Sequence, residues 1–109
     1  MVYDEHLAQR VREFLNNQPG FTEKKMFGGI GFMIHGNMAC GVIRDDLIVR
    51  VGSERYTDSL LKPHVELFDL TGKAMTGWVL VKEPGYRDDQ DLTDWTQQGV
   101  NYALTLPAK

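Results

Sequence analysis

Between Lys24 and Ile43 the chain reads KKMFGGIGFMIHGNMACGVI, twenty residues holding five glycines among apolar side chains. A second apolar run, Leu47–Val51, follows directly after Arg44-Asp45-Asp46. Apolar runs this short, punctuated by glycine and polar turn residues, belong to strands rather than helices. Strands joined by so few residues must pair antiparallel, because a parallel return needs a long crossover. The spacing predicts strands over Glu23–Gly28, Ile30–His35, Met38–Ile43 and Leu47–Val51, with a tight turn at Gly36-Asn37 and Arg50 facing water. A meander of this kind commits the centre of the chain to a sheet.

The flanks supply helices to cover it. Residues 4–17 carry Leu7, Val11, Phe14 and Leu15 at helical spacing behind Asp4, a capping residue, and stop at Asn16-Asn17-Gln18-Pro19-Gly20. Arg10 and Arg12 are too few to make this a basic nucleic-acid helix. Ser53, followed by Glu54 in the first turn, is expected to cap a second helix that ends near Lys62-Pro63. Val65 to Leu70 reads as extended, Thr71 to Gly77 as a loop, and Trp78 to Val81 as a last strand. The acids from Asp88 to Asp91 open a closing helix with the stripe Leu92, Trp95, Gly99, Tyr102, Ala103 and Leu106. The expected fold is α+β: two layers, an antiparallel sheet of about five strands with three helices. All 109 residues form a single domain.

Charge and composition bound the function classes. Residues 1–82 hold ten acids and ten bases, so the net charge of −3 arises after residue 82, in the C-terminal quarter. That balance does not support phosphate neutralisation as the main activity, although Lys24 and Lys25 could form a small basic edge for nucleic acid. No apolar run approaches the roughly 20 residues of a membrane span, and the first residues have no secretory pattern. One cysteine, Cys40, cannot form an internal disulfide, which fits a reducing compartment. A cytoplasmic protein is expected.

Chemical motifs are sparse. Gly28-Gly29-Ile30-Gly31 matches neither a P-loop nor a dinucleotide fingerprint, since a strand follows it. A bulge, or close approach of a neighbouring element or ligand, explains it. Cys40 would need a base and a lowered pKa to act as a nucleophile. His35 could face it across the hairpin, yet Ala39 and Gly41 give it the surroundings of a small core residue. His6, His35 and His64 lack metal-ligand spacing. Lys73, between glycines and near Trp78, could accept an anion; alternatively Met75 and Trp78 insert into the core there.

Met26-Phe27-Gly28-Gly29-Ile30-Gly31-Phe32, with Gly36-Asn37-Met38-Ala39 after it, resembles the opening of the N-terminal domain family of TfoX/Sxy, the bacterial competence regulators. Gly72-Lys73-Ala74-Met75-Thr76-Gly77-Trp78-Val79, Asp91-Leu92-Thr93-Asp94-Trp95 and Leu106-Pro107-Ala108-Lys109 agree with it in order. The resemblance implies a single domain similar to secretion-chaperone-like folds, with no enzyme activity, cofactor, metal or catalytic residue to carry over. Full-length regulators of that family add a C-terminal domain of helix-hairpin-helix character and act with a cyclic-AMP receptor protein. The resulting expectation is a non-enzymatic regulatory or protein-interaction module with a protein partner or self-association. Its candidate surface comprises Lys24, Lys25, Gly28, Gly29, Lys73 and Trp78. A small-anion or metabolite site on the Gly28-Gly29 turn, Lys24, Lys73 and Trp78, a weak DNA-binding accessory role through Lys24 and Lys25, and a thiol enzyme using Cys40 are the alternatives.

Overall fold

The computed structural model describes residues 3–26, 28–69, 72 and 74–109. The chain runs α1 (Glu5–Leu15), β1 (Phe21–Met26), β2 (Gly29–Ile34), β3 (Asn37–Ile43), β4 (Asp46–Arg50), α2 (Ser53–Leu60), β5 (Val65–Asp69), β6 (Ala74–Val81), α3 (Glu83–Tyr86) and α4 (Asp89–Leu104). The strands form one antiparallel sheet in the order β1-β2-β3-β4-β6-β5. The architecture is the expected α+β, with six strands and four helices in place of about five and three. Ala74–Gly77, expected in a loop, extend β6, and Glu83–Tyr86 form an additional short helix.

Helices cover one face. Helix α4 crosses β3 and β4, α1 packs beside it, and α2 lies over β5 and β6. Between the layers sits a core that includes Leu7, Val11, Phe32, Val42, Leu47, Val49, Val79, Leu92 and Val100, all buried. Burying one such side chain contributes about 1.5–3 kcal/mol. Gly99 lets α4 approach closely: a Cβ built there would lie 2.3 Å from the Ala39 carbonyl oxygen. Among the described residues no helix is long and apolar enough to cross a membrane.

Among the described residues no helix covers the opposite face, yet Ile43, Ile48, Phe68 and Leu80 are buried there, with Trp78 against them. Met26 and Met38 lie over Gly31 and Gly41, which face each other across β2 and β3. Asp46, also buried, is held by Lys82 Nζ at 3.2 Å and Arg44 Nη2 at 3.4 Å, so its charge is compensated where desolvation would otherwise be costly.

Local details correct several expectations. Asp4 does cap α1, its Oδ1 accepting from the N–H groups of His6 and Leu7. However, Ala8 rather than Phe14 completes the buried stripe, and Phe14 is 40% exposed. The β2–β3 turn is His35-Gly36, both at positive φ (51° and 84°), whereas Asn37 already belongs to β3. Asn37 is buried and its Nδ2 donates to the Pro107 carbonyl at 2.9 Å. The Lys109 N–H donates to the His35 carbonyl at 2.8 Å, so the C-terminal residues strap the hairpin to α4. The cap of α2 is Gly52, not Ser53. Its φ of +86° suits glycine, and Tyr102 lies 2.5 Å from where a Cβ would stand.

Candidate interaction surfaces

Lys24 and Lys25 are exposed on β1, an edge of the sheet. Consecutive strand residues point to opposite faces. Lys24 pairs with Gly31 and stands on the helix-free face, whereas Lys25 pairs with Ile30 on the helix side. The two ammonium groups therefore do not form one patch. Gly28 supplies a positive φ (77°) with open space around it. Gly29 answers a packing need, since a Cβ there would fall 2.2 Å from the Val42 carbonyl oxygen. Positive φ at Gly28 and backbone crowding at Gly29 account for the two glycines without a bound anion.

Trp78 lies on β6, half-buried, and β2 is three strand spacings away, or about 14 Å at the usual 4.8 Å per strand. The sheet thus separates Trp78 from Lys24 and the Gly28-Gly29 turn. Lys73 lies outside the described residues. Around Trp78 the partners are Phe68, with ring centroids 6.3 Å apart, and Arg50, whose Cζ sits 4.9 Å from the indole centroid. The same guanidinium lies 5.4 Å from the Tyr102 ring. Arg50, expected to face water, is instead half-buried against two aromatic rings, the geometry of a cation–π contact. Met75, by contrast, is 37% exposed and does not enter the core.

Cys40 is fully buried and pairs across the sheet with Phe32 rather than His35. Burial pushes its thiol up to about 12, so the nucleophilic thiolate is suppressed at neutral pH. Burial likewise pushes Tyr86 up to about 12; its hydroxyl donates to the Asp45 carbonyl and ties α3 to the β3–β4 turn. Among the described residues no three His, Cys, Asp or Glu side chains gather within reach of one metal ion.

Two open clefts flank α4. One, about 690 Å³, is lined by Ser53, Glu54 and Arg55 of α2 and by Asp94, Gln97 and Tyr102. The other, about 400 Å³, is lined by residues including His64 and Trp95, with Lys62 Nζ 5.0 Å from the Trp95 ring centroid. Both walls mix acids, amides and cations without a convergent set.

The feature absent from the sequence reading is the other sheet edge, β5. The Lys82 N–H donates to the His64 carbonyl at 2.8 Å. In an antiparallel ladder bonded pairs alternate, so Glu66 bonds Leu80 while Val65 and Leu67 direct their N–H and C=O groups outward. Leu67 is 52% exposed, and Leu61, just after α2, is 80% exposed. The β1 edge differs in being charged: Glu23 and Lys25 flank its outward backbone, and Glu23 is bridged at 2.6 Å to Arg12 of α1, so it accepts a strand of complementary charge rather than any exposed edge. The exposed apolar residue on β5 was visible in Val65-Glu66-Leu67-Phe68-Asp69, but its place at an edge was not.

No curated protein and no solved structure matches this chain. The family model of the TfoX N-terminal domain matches residues 13–103, from the end of α1 through nearly all of α4, and this agrees with the motifs around Gly28, Gly77 and Trp95. The chain belongs to the TfoX N-terminal domain family.

Proposed function

We propose that this domain is a non-enzymatic regulatory module that works by binding protein, receiving a partner strand along β5. The observation that carries the reading is the row of outward backbone groups at Val65 and Leu67 beside an exposed leucine. An added strand gains affinity from main-chain hydrogen bonds and specificity from alternate side chains. Membership of a family of regulators supports a role in recognition. A small-anion site built on Lys24, Gly28 and Trp78 draws no support, because the sheet holds Trp78 apart from the other two.

The test compares the wild-type chain with Leu67→Pro and Leu67→Lys. Proline at Leu67 removes an outward N–H without breaking a bond to β6. Lysine there keeps the backbone and adds an edge charge. Both variants should retain the far-UV circular dichroism of the parent while losing its specific partner in affinity capture and its self-association. Retention of the same partner and oligomeric state by both folded variants would refute the reading. So would a wild-type protein that is strictly monomeric and captures nothing specific.

A further inference from the structure

The cross-strand rows of the sheet end on complementary side chains. One row on the helix-free face runs Lys24–Gly31–Gly41–Ile48–Leu80–Glu66, from the outer edge of β1 to the outer edge of β5. It is positive at one end and negative at the other, and both end residues are exposed. On the helix side, the neighbouring rows begin at Lys25 and Glu23 and end at Val65 and Leu67. Because every pairing is antiparallel, β1 and β5 run in opposite directions. A second copy laid beside β5 as a continuation of the sheet would therefore present β1 antiparallel to it, with both helix layers on the same side.

Resting on the reading of β5 as the docking edge, we infer that the strand it receives is β1 of a second copy of this chain. The His35 N–H donates to the Gly20 carbonyl and the Phe21 N–H to the Gln18 carbonyl, so on β1 the outward pairs left to a partner are those of Glu23 and Lys25. With the rows continued in register, Val65 and Leu67 bond Lys25 and Glu23 of the second copy, which fills the outward donors and acceptors on both strands. Glu66 then stands opposite Lys24 of the second copy in a non-bonded pair, the closer of the two pair types. An opposite-charge pair in that position is stabilising. The Lys25 methylenes cover Val65.

Pairing of β5 with itself is less favourable. Setting Val65 opposite Leu67 places Glu66 against Glu66, and like charges directly opposite destabilise. Centring the pair on Leu67 runs into the register irregularity between Leu67 and Asp69. The β5–β1 contact is heterologous, so each copy keeps one edge free and association is not limited to a dimer unless a ring closes.

Sedimentation velocity tests this, at low salt and from about 10 μM to about 1 mM, the range that covers weak association. The weight-average mass should rise with concentration, and added salt should lower it by screening the pair. Glu66→Lys and Lys24→Glu should each weaken association about tenfold. The double exchange Glu66→Lys/Lys24→Glu should restore it, as should mixing the two single variants. If Lys24→Glu leaves association unchanged while Glu66→Lys abolishes it, β5 remains the docking edge and β1 is not its partner. If no substitution on β5 or β1 alters a measured association, both readings fall. A wild-type chain monomeric throughout the range overturns the head-to-tail contact, leaving β5 to the capture experiment.

Discussion

Gly99→Ala should destabilise this domain, against the ordinary behaviour of the substitution. In a helix interior, alanine gains about 1 kcal/mol over glycine. Here the added Cβ would sit 2.3 Å from the Ala39 carbonyl oxygen and 3.0 Å from its carbon. Ala39 is buried in β3, so the strand cannot retreat without disturbing its ladder. Helix α4 must lift instead, loosening Leu92, Trp95, Val100 and Ala103 from the core. Overpacking typically costs 1–3 kcal/mol, and the bad contact is with backbone, which places this site at the upper end. After subtracting the propensity gain, the net loss is about 2 kcal/mol, or roughly 10 °C in Tm for a chain of this length. Urea unfolding followed by fluorescence of Trp78 and Trp95, with thermal circular dichroism beside it, measures both quantities. An unchanged or raised Tm would refute the claim that this glycine is required by close helix–sheet contact.

Cys40 should resist alkylation by iodoacetamide at pH 8 in the native state and react once the chain is unfolded in urea. Its folded pKa, about 12, lies above the unfolded value of about 8.5. Its contribution is therefore fully present below pH 8.5 and lost as pH rises towards 12, amounting to about 2 kcal/mol of lost stability by pH 10. Cys40→Ala should flatten that alkaline fall, and a curve identical to wild type would contradict the assignment. Asn37→Ala removes the donor to Pro107 and should cost about 1 kcal/mol, with faster proteolytic trimming of residues 105–109; an unaltered digest would show that the strap holds without it. Arg50→Ala should lower stability by about 1–2 kcal/mol through two lost ring contacts, and should shift Trp78 emission, whereas a fluorescence spectrum and Tm equal to wild type would place Arg50 in solvent.

The central meander was legible because its apolar runs are short and its turns leave no room for crossovers. Residue-level errors there have local causes. His35 takes positive φ beside Gly36, which moved the turn one residue earlier than Gly36-Asn37 suggested. Phe14 falls off the α1 stripe because small Ala8 occupies the buried position between Leu7 and Val11. Ser53 looked like a cap, but glycine's freedom at residue 52 and the ring of Tyr102 set the start of α2 one residue sooner. The candidate surface was the least legible part. Lys24, Lys25 and Trp78 are prominent in the sequence, yet the sheet puts the two lysines on opposite faces of the β1 edge and Trp78 on the interior strand β6. The β5 edge depends on β6 inserting between β4 and β5, a choice of strand order that neither periodicity nor turn chemistry encodes. Only the register then shows that Lys24 and Glu66 end the same row.

Amide hydrogen exchange along β5 reads strand docking at the residues where it must occur. Glu66 is bonded to β6 and its N–H should be protected under all conditions, while the outward N–H groups of Val65 and Leu67 should exchange rapidly in dilute protein. Once a partner strand binds, whether from a second copy or another protein, exchange at Val65 and Leu67 should slow together and Glu66 should change little. Association that leaves the Val65 and Leu67 amides as exposed as before would contradict the account, because the partner would then be held somewhere other than β5.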